Sequence, residues 1–199
     1  INFPEISMWG NSPWGGVGAH PLPARFQRLW DQVKHKVSGG FPYSEGIYED
    51  MNKAVVLQFY WDRDRSAADT MREYSNYEFG AGVAEEVLTL VAALEQAASQ
   101  SYQKQPVDAD QARQAWELAD SLHARLPEWA RQNWRWEILH LRALIDRERF
   151  AGPGADSLEA DTAMRRLIEI YHAQIETDDP YHHRVRPRIK GAVDRAGRH

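Results

Sequence analysis

The chain has 199 residues, 43% of them hydrophobic and 27% charged, the make-up of a globular protein with apolar mass for one sizeable core or two small ones. The formal net charge is -5, and Lys and Arg are scattered among acids until the Arg184 to Lys190 stretch, which argues against nucleic acid as the main partner. No apolar run approaches the ~18 residues of a membrane span, and the absence of cysteine excludes disulfides and thiolate metal sites while leaving the compartment open.

Ile1 begins the chain, and Phe3 to Met8 alternates loosely like a strand already under way. The expectation is a piece of a longer polypeptide, with any signal peptide lying upstream. Trp9 to Pro23 follows as a glycine- and proline-rich loop with tryptophans at 9 and 14. Each indole offers a flat apolar platform with an N–H at its edge, suited either to stacking on a sugar ring or to plugging the loop onto the core.

Pro23 suits the first turn of a helix, and Phe26, Leu29, Trp30, Val33 and Val37 recur at helical spacing until Ser38-Gly39-Gly40 stops it. Strand, loop and amphipathic helix form a βα unit, and Gly40 to Tyr43 reads as the next, very short strand. From Ile47 to Trp61 apolar residues occupy nearly every side of the helical wheel, the mark of a buried helix. After the turn Asp62 to Ser66, with Ser66 or Asp64 as N-cap, a helix runs to Phe79-Gly80, and another covers Ala81 to Ala98.

Beyond the polar gap Ser99 to Pro106, Asp108 or Asp110 caps a helix through Leu122, and Pro127 opens one with Trp134, Ile138, Leu141 and Ile145 along a face. Asp156 or Ser157 caps a last helix with Met164, Leu167, Ile168, Tyr171 and Ile175, ended by Asp178-Asp179-Pro180. From about residue 46 the chain reads as helices joined by short turns, a bundle or helical-hairpin architecture without a repeat of fixed period.

Glu137-Ile138-Leu139-His140 and Glu169-Ile170-Tyr171-His172 carry the Glu-x-x-His spacing of di-iron bundles. The wheel places Glu169 about 100° and His140 about 120° from their apolar stripes, so both read as solvated-face residues. No metal site and no cofactor is expected. The histidines near the tail, Tyr181-His182-His183 and His199, are weak evidence for a ligand set. P-loop, nucleophile-elbow and dinucleotide-binding glycine patterns are absent.

Gly39 to Lys53 gathers a glycine pair, a proline, aromatics, carboxylates, an amide and a lysine at the mouth of the apolar helix. Glu49 and Asp50 in its first turn are favoured by the helix dipole, by about 0.3–1 kcal/mol. Glu45, in the tight aromatic-flanked turn Tyr43-Ser44-Glu45-Gly46, is better placed to bind sugar hydroxyls or to act as acid or base. Lys53 is as well placed to pair with Glu49 four residues before it as to touch a ligand.

Trp9, Pro13-Trp14-Gly15, Gly18 to Phe26 and Gly39 to Lys53 together resemble the end of the catalytic barrel in large bacterial glycoside-hydrolase-like proteins of the α-glucuronidase and hexosaminidase-like TIM-barrel kind. Tyr74 to Gly80 is similar to the segment by which such proteins pass from barrel to a C-terminal helical domain. The resemblance covers about residues 1 to 95. It implies a mainly α chain in which residues 1–62 are the last βα unit or units of a (β/α)8 barrel and residues 63–199 an α-helical bundle domain. It also implies that Trp9, Trp14, Tyr43 and Glu45 lie on the carbohydrate-binding rim, at the C-terminal ends of strands, with Asp50 a further substrate-binding candidate beside them. Most of the barrel, with the usual catalytic carboxylate pair, would lie in earlier strands, so the fragment alone is expected to be inactive. A periplasmic or secreted parent fits this reading.

Two functions follow as expectations. The first is a fragment of a carbohydrate-active protein, a glycoside hydrolase in its parent, with Glu45 the candidate catalytic residue and Trp9, Trp14 and Tyr43 as aromatic walls. The second is a non-catalytic interaction or scaffolding domain in which Trp116, Trp129, Trp134 and Trp136 contact a partner protein.

Overall fold

The computed structural model describes residues 20–42, 50–151 and 157–172. The expected strand over Phe3 to Met8, the loop bearing Trp9 and Trp14, and Tyr43 to Glu49 lie outside the described residues. The secondary-structure elements within them are helices, so the chain is mainly α as its sequence implies. They are α1 (Pro23–Val33), α2 (Asp50–Trp61), α3 (Ala67–Glu78), a 3-10 turn (Ala81–Val83), α4 (Ala84–Tyr102), α5 (Ala109–Arg125), α6 (Glu128–Arg131), α7 (Trp134–Phe150) and α8 (Leu158–His172).

Local chemistry sets most of the boundaries. Ser66 caps α3 by accepting from the Asp69 amide at 3.0 Å, Asp108 caps α5 through the Asp110 amide at 2.9 Å, and Ser157 Oγ accepts from the Ala160 amide at 3.0 Å at the start of α8. The start of α1 has Pro23 but no cap of its own, because Leu22 offers no side-chain acceptor. Glu95, reaching across from α4, supplies one: its carboxylate accepts from the amides of Ala24 at 2.9 Å and Arg25 at 2.6 Å. Gln27 of α1 in turn accepts from the Ala67 amide at 2.7 Å, so α1 both receives a cap from α4 and gives one to α3.

The helix expected from Pro127 divides. Pro127 precedes the four-residue α6, the chain turns, and Asn133 caps α7 by accepting from the Arg135 amide at 3.0 Å. An asparagine with β-region backbone is as strong a start signal as the proline, and here there are two starts in seven residues. The helix expected from Ala81 opens instead with a 3-10 turn before α4 takes over.

One apolar cluster gathers Phe26 and Trp30 of α1, Val55, Val56 and Phe59 of α2, Met71 of α3, Leu90 and Leu94 of α4, Leu122 of α5, and Trp136 and Leu139 of α7. Residues from both sides of position 62 therefore share a single core. Trp30 stacks on Phe59 at 5.4 Å and donates its indole N–H to the Arg63 carbonyl at 2.9 Å, fixing α1 against the end of α2. A second cluster lies between α7 and α8, with Ile138 and Ile145 against Ala163, Leu167 and Ile170. Helix α7 is thus buried on more than one side.

Gly80 ends α3 with φ of +103°, a backbone that L side chains rarely adopt. A methyl group there would meet nothing within 4 Å, so the cost of Gly80→Ala is backbone strain alone. We expect the variant to lose about 1–3 kcal/mol in urea denaturation, with an unchanged m-value; stability equal to the parent would show that the turn relaxes.

Candidate functional site

Asp50, the one rim candidate among the described residues, opens α2. Its carboxylate is held from two elements: Tyr74 Oη of α3 donates to Oδ2 at 2.6 Å, and Arg135 Nε of α7 donates to the same oxygen at 2.7 Å. Glu78, at the end of α3, lies 3.5 Å from Arg135 Nε and accepts from Asn133 Nδ2 at 2.9 Å. The Arg135 guanidinium also covers the Trp134 ring, 4.2 Å from its centroid. Three helices therefore meet in a half-buried cluster of two carboxylates, an arginine, a phenol and an amide.

The protonation states follow from burial and charge. Burial, then the Asp50 carboxylate, push Tyr74 far above the usual phenol range, so its hydroxyl is a fixed donor and not a proton acceptor. Asp50 is engaged by Tyr74 and Arg135 and held in one orientation at the start of α2. That makes it an anchor for the first turn of the helix that Tyr43 to Glu49 leads into.

A second polar cluster is fully buried. His20 Nε2 lies 3.1 Å from Asp146 Oδ2, and Arg142 donates to Asp146 Oδ1 at 2.6 Å, each side chain no more than 3% exposed. Asn52, also buried, accepts from the Leu22 amide at 2.7 Å and donates to the His20 carbonyl at 3.2 Å. Residues 20–22 are thereby joined to α2 through Asn52 and to α7 through Asp146. Burial and the Arg142 charge push His20 below the ordinary imidazole range, against the pull of Asp146. Burial alone would raise Asp146; the charges of Arg142 and His20 and their hydrogen bonds outweigh it and hold the carboxyl below its ordinary range.

Arg135, Arg142 and Asp146 lie within about 40° of one another on the α7 wheel. One face of this helix consequently reaches both ends of the first stretch: the entry at His20 and the start of α2 at Asp50.

Of the residues singled out from sequence, Trp9, Trp14, Tyr43 and Glu45 lie outside the described residues, and Asn52 serves the backbone at Leu22 and His20. Glu137 and Glu169 both pair with Arg166, and among the described residues no group of three or more His, Cys, Asp or Glu side chains could hold a metal ion. His140, expected on a solvated face, is instead only 19% exposed, stacked between Trp116 and His123 in the α5–α7 seam. Sequence reasoning missed Tyr74, Arg135 and the His20–Asp146–Arg142 set. The one available signal was Arg142 and Asp146 four apart on a helix, a spacing that also describes ordinary surface pairs. No family model, curated protein or solved structure matches the chain.

Asp146→Ala strips the carboxylate from two buried basic groups, and we expect a loss of about 3–5 kcal/mol in chemical denaturation. Both His20 and Asp146 have folded pKa values below their unfolded ones, so each adds stability at high pH that is lost as pH falls. Native stability should decline below about pH 6.5 as the unfolded state gains its imidazole proton, and again below about pH 4. His20→Gln should flatten the first decline in part; an identical profile in that variant would mean His20 titrates alike in both states.

Proposed function

We propose that the chain is the C-terminal part of a carbohydrate-active protein, a glycoside hydrolase acting on a glycosidic bond by carboxylate acid/base chemistry. In this reading residues 1–62 belong to the end of a (β/α)8 barrel and supply part of its sugar-binding rim, and residues 63–199 form the appended helical domain. Glu45 binds or activates substrate, Trp9, Trp14 and Tyr43 wall the subsite, and Asp50 holds the rim's edge in register with the helices.

The observation that carries the proposal is the second apolar face of α2. Met51, Val55, Val56 and Phe59 are buried in the helical core, whereas Leu57 is 51% and Trp61 89% exposed. The wheel places Leu57 and Trp61 opposite that buried arc. Large apolar side chains on that side, standing beside Asp50 and Lys53, fit a helix placed between two layers. The helical body is one, and a barrel wall fits the other. Leu29 and Val33 of α1 and Phe41 beyond it are exposed as well. The two stretches that carry the resemblance also meet, through the hydrogen bond from Tyr74 to Asp50.

The test is Glu45→Gln in the full-length parent, assayed on a panel of aryl glycosides. A fall in kcat/KM of about 100-fold or more on a cleaved substrate is expected for an acid/base residue. Unchanged rate and affinity would remove Glu45 from the site, and no cleavage of any glycoside by the parent would remove the hydrolase reading.

The second reading, a non-catalytic helical interaction domain, draws on Trp129, which is 56% exposed on α6. The other three tryptophans of that region are engaged in packing. Trp136 is fully buried against Phe79, Trp116 stacks on His140, and Trp134 packs against the second core under Arg135. A clean monomer with no recoverable partner on size-exclusion chromatography would count against this reading.

A further inference from the structure

Two histidines face each other across the seam between α5 and α7, the helix that carries Arg135, Arg142 and Asp146. His123 lies in the last turn of α5 and His140 in the second turn of α7, with ring centroids 4.5 Å apart and planes 11° from parallel. Trp116 stacks on His140 at 4.8 Å, and the Trp136 indole N–H donates to His123 Nδ1 at 3.0 Å. That bond requires the His123 tautomer with its proton on Nε2, leaving Nδ1 as an acceptor.

We propose that His123 and His140 form an acid-sensitive latch between α5 and α7, closed by their ring stack and the Trp136 hydrogen bond and opened by protonation of His140. It does not depend on the carbohydrate reading. The indole donor of Trp136, a side chain with no exposure to water, depends on His123 Nδ1 as its acceptor, so displacing the His123 ring strands it. A proton on His140 places a cation against the facing imidazole.

The surrounding charges do not reverse this. Asp120 of α5 is the nearest carboxylate, 3.7 Å from His140 Nε2, too long for a hydrogen bond and itself 65% exposed. Glu137, one turn before His140 on α7, is paired with Arg166 of α8. Arg147 adds positive charge over the far ring, Trp116, and Arg125 beyond His123 is paired with Glu86 of α4. Burial, then His123, press His140 below the ordinary imidazole range, with Asp120 pulling the other way. The closed seam therefore favours a neutral His140, and the latch opens as pH falls.

The experiment follows the Trp136 indole N–H by proton–nitrogen correlation in the whole chain from about pH 7.5 to about pH 5. Its solvent exchange, corrected for the intrinsic pH dependence, should rise roughly tenfold or more over that range in the parent. In the His123→Gln/His140→Phe double variant, which keeps an acceptor and a ring but cannot titrate, the rise should shrink to what the loss of global stability accounts for. His20→Gln should remove only that global part and leave the rest of the rise in place. A flat parent profile overturns the latch whether or not the double variant folds, and an equal rise in a folded double variant overturns it too.

Discussion

Everything else in this molecule depends on how α7 is buried. Its Trp136, Leu139 and Ala143 enter the main core, while its Ile138 and Ile145 pack on α8. Between these apolar faces lies a strip carrying Arg135, Arg142 and Asp146. A strip hemmed in this way has little access to water, so its charges must be satisfied by protein groups. Asp146 answers Arg142 from one turn away with one oxygen and meets His20 with the other. Removing any one of the three leaves the others in a site that disfavours unbalanced charge. Such an arrangement adds little net stability compared with an apolar core, but it is selective about what can dock there.

That selectivity gives the polar contacts a common logic. Residues 20–22 enter the core beside α2, with Leu22 buried and His20 aimed at Asp146. Asn52 spans the backbone of the same segment with one donor and one acceptor. Asp50 then fixes the next helix start to Tyr74 and Arg135. Apolar packing of α1 and α2 would tolerate small slides along the helix axes, since dispersion is non-directional. Directional hydrogen bonds at His20, Asn52 and Asp50 remove that freedom, and they do so at the two places where the first stretch of chain meets the helical body.

The helices were legible because amphipathic periodicity and capping residues are local signals. Ser66, Asp108 and Ser157 sit at helix starts as side-chain chemistry requires. What could not be read is anything set by tertiary context. The stripe Trp134, Ile138, Leu141 and Ile145 is real and faces α8, but it is only one of the apolar faces of α7. Judged against that stripe alone His140 points outward, whereas it points at α5. The cap that Glu95 gives α1 joins residues 70 or more apart in sequence, beyond any motif window. His20 in a Gly-Ala-His-Pro context likewise carries no mark of its partner 126 residues on. Of the rim candidates, only Asp50 falls among the described residues, and its partners Tyr74 and Arg135 come from helices with no sequence link to it.

Helix α2 shows how one local pattern can be right about polarity and incomplete about burial. Its polar residues Asp50, Lys53 and Gln58 lie off the core-facing arc, and Asn52, the polar residue inside that arc, is there to hold backbone. The arc from Met51 to Phe59 is dry, yet Leu57 and Trp61 face away from it with the indole almost wholly exposed. Single exposed apolar residues are ordinary on protein surfaces. Here they share the outward side with Asp50 and Lys53, so that side of α2 mixes polar and apolar residues while the core-facing side is apolar but for Asn52. The core-facing arc sets how deeply α2 is packed, while its first turn, tied through Asp50 to Tyr74 and Arg135, sets the direction in which it runs against α3 and α7.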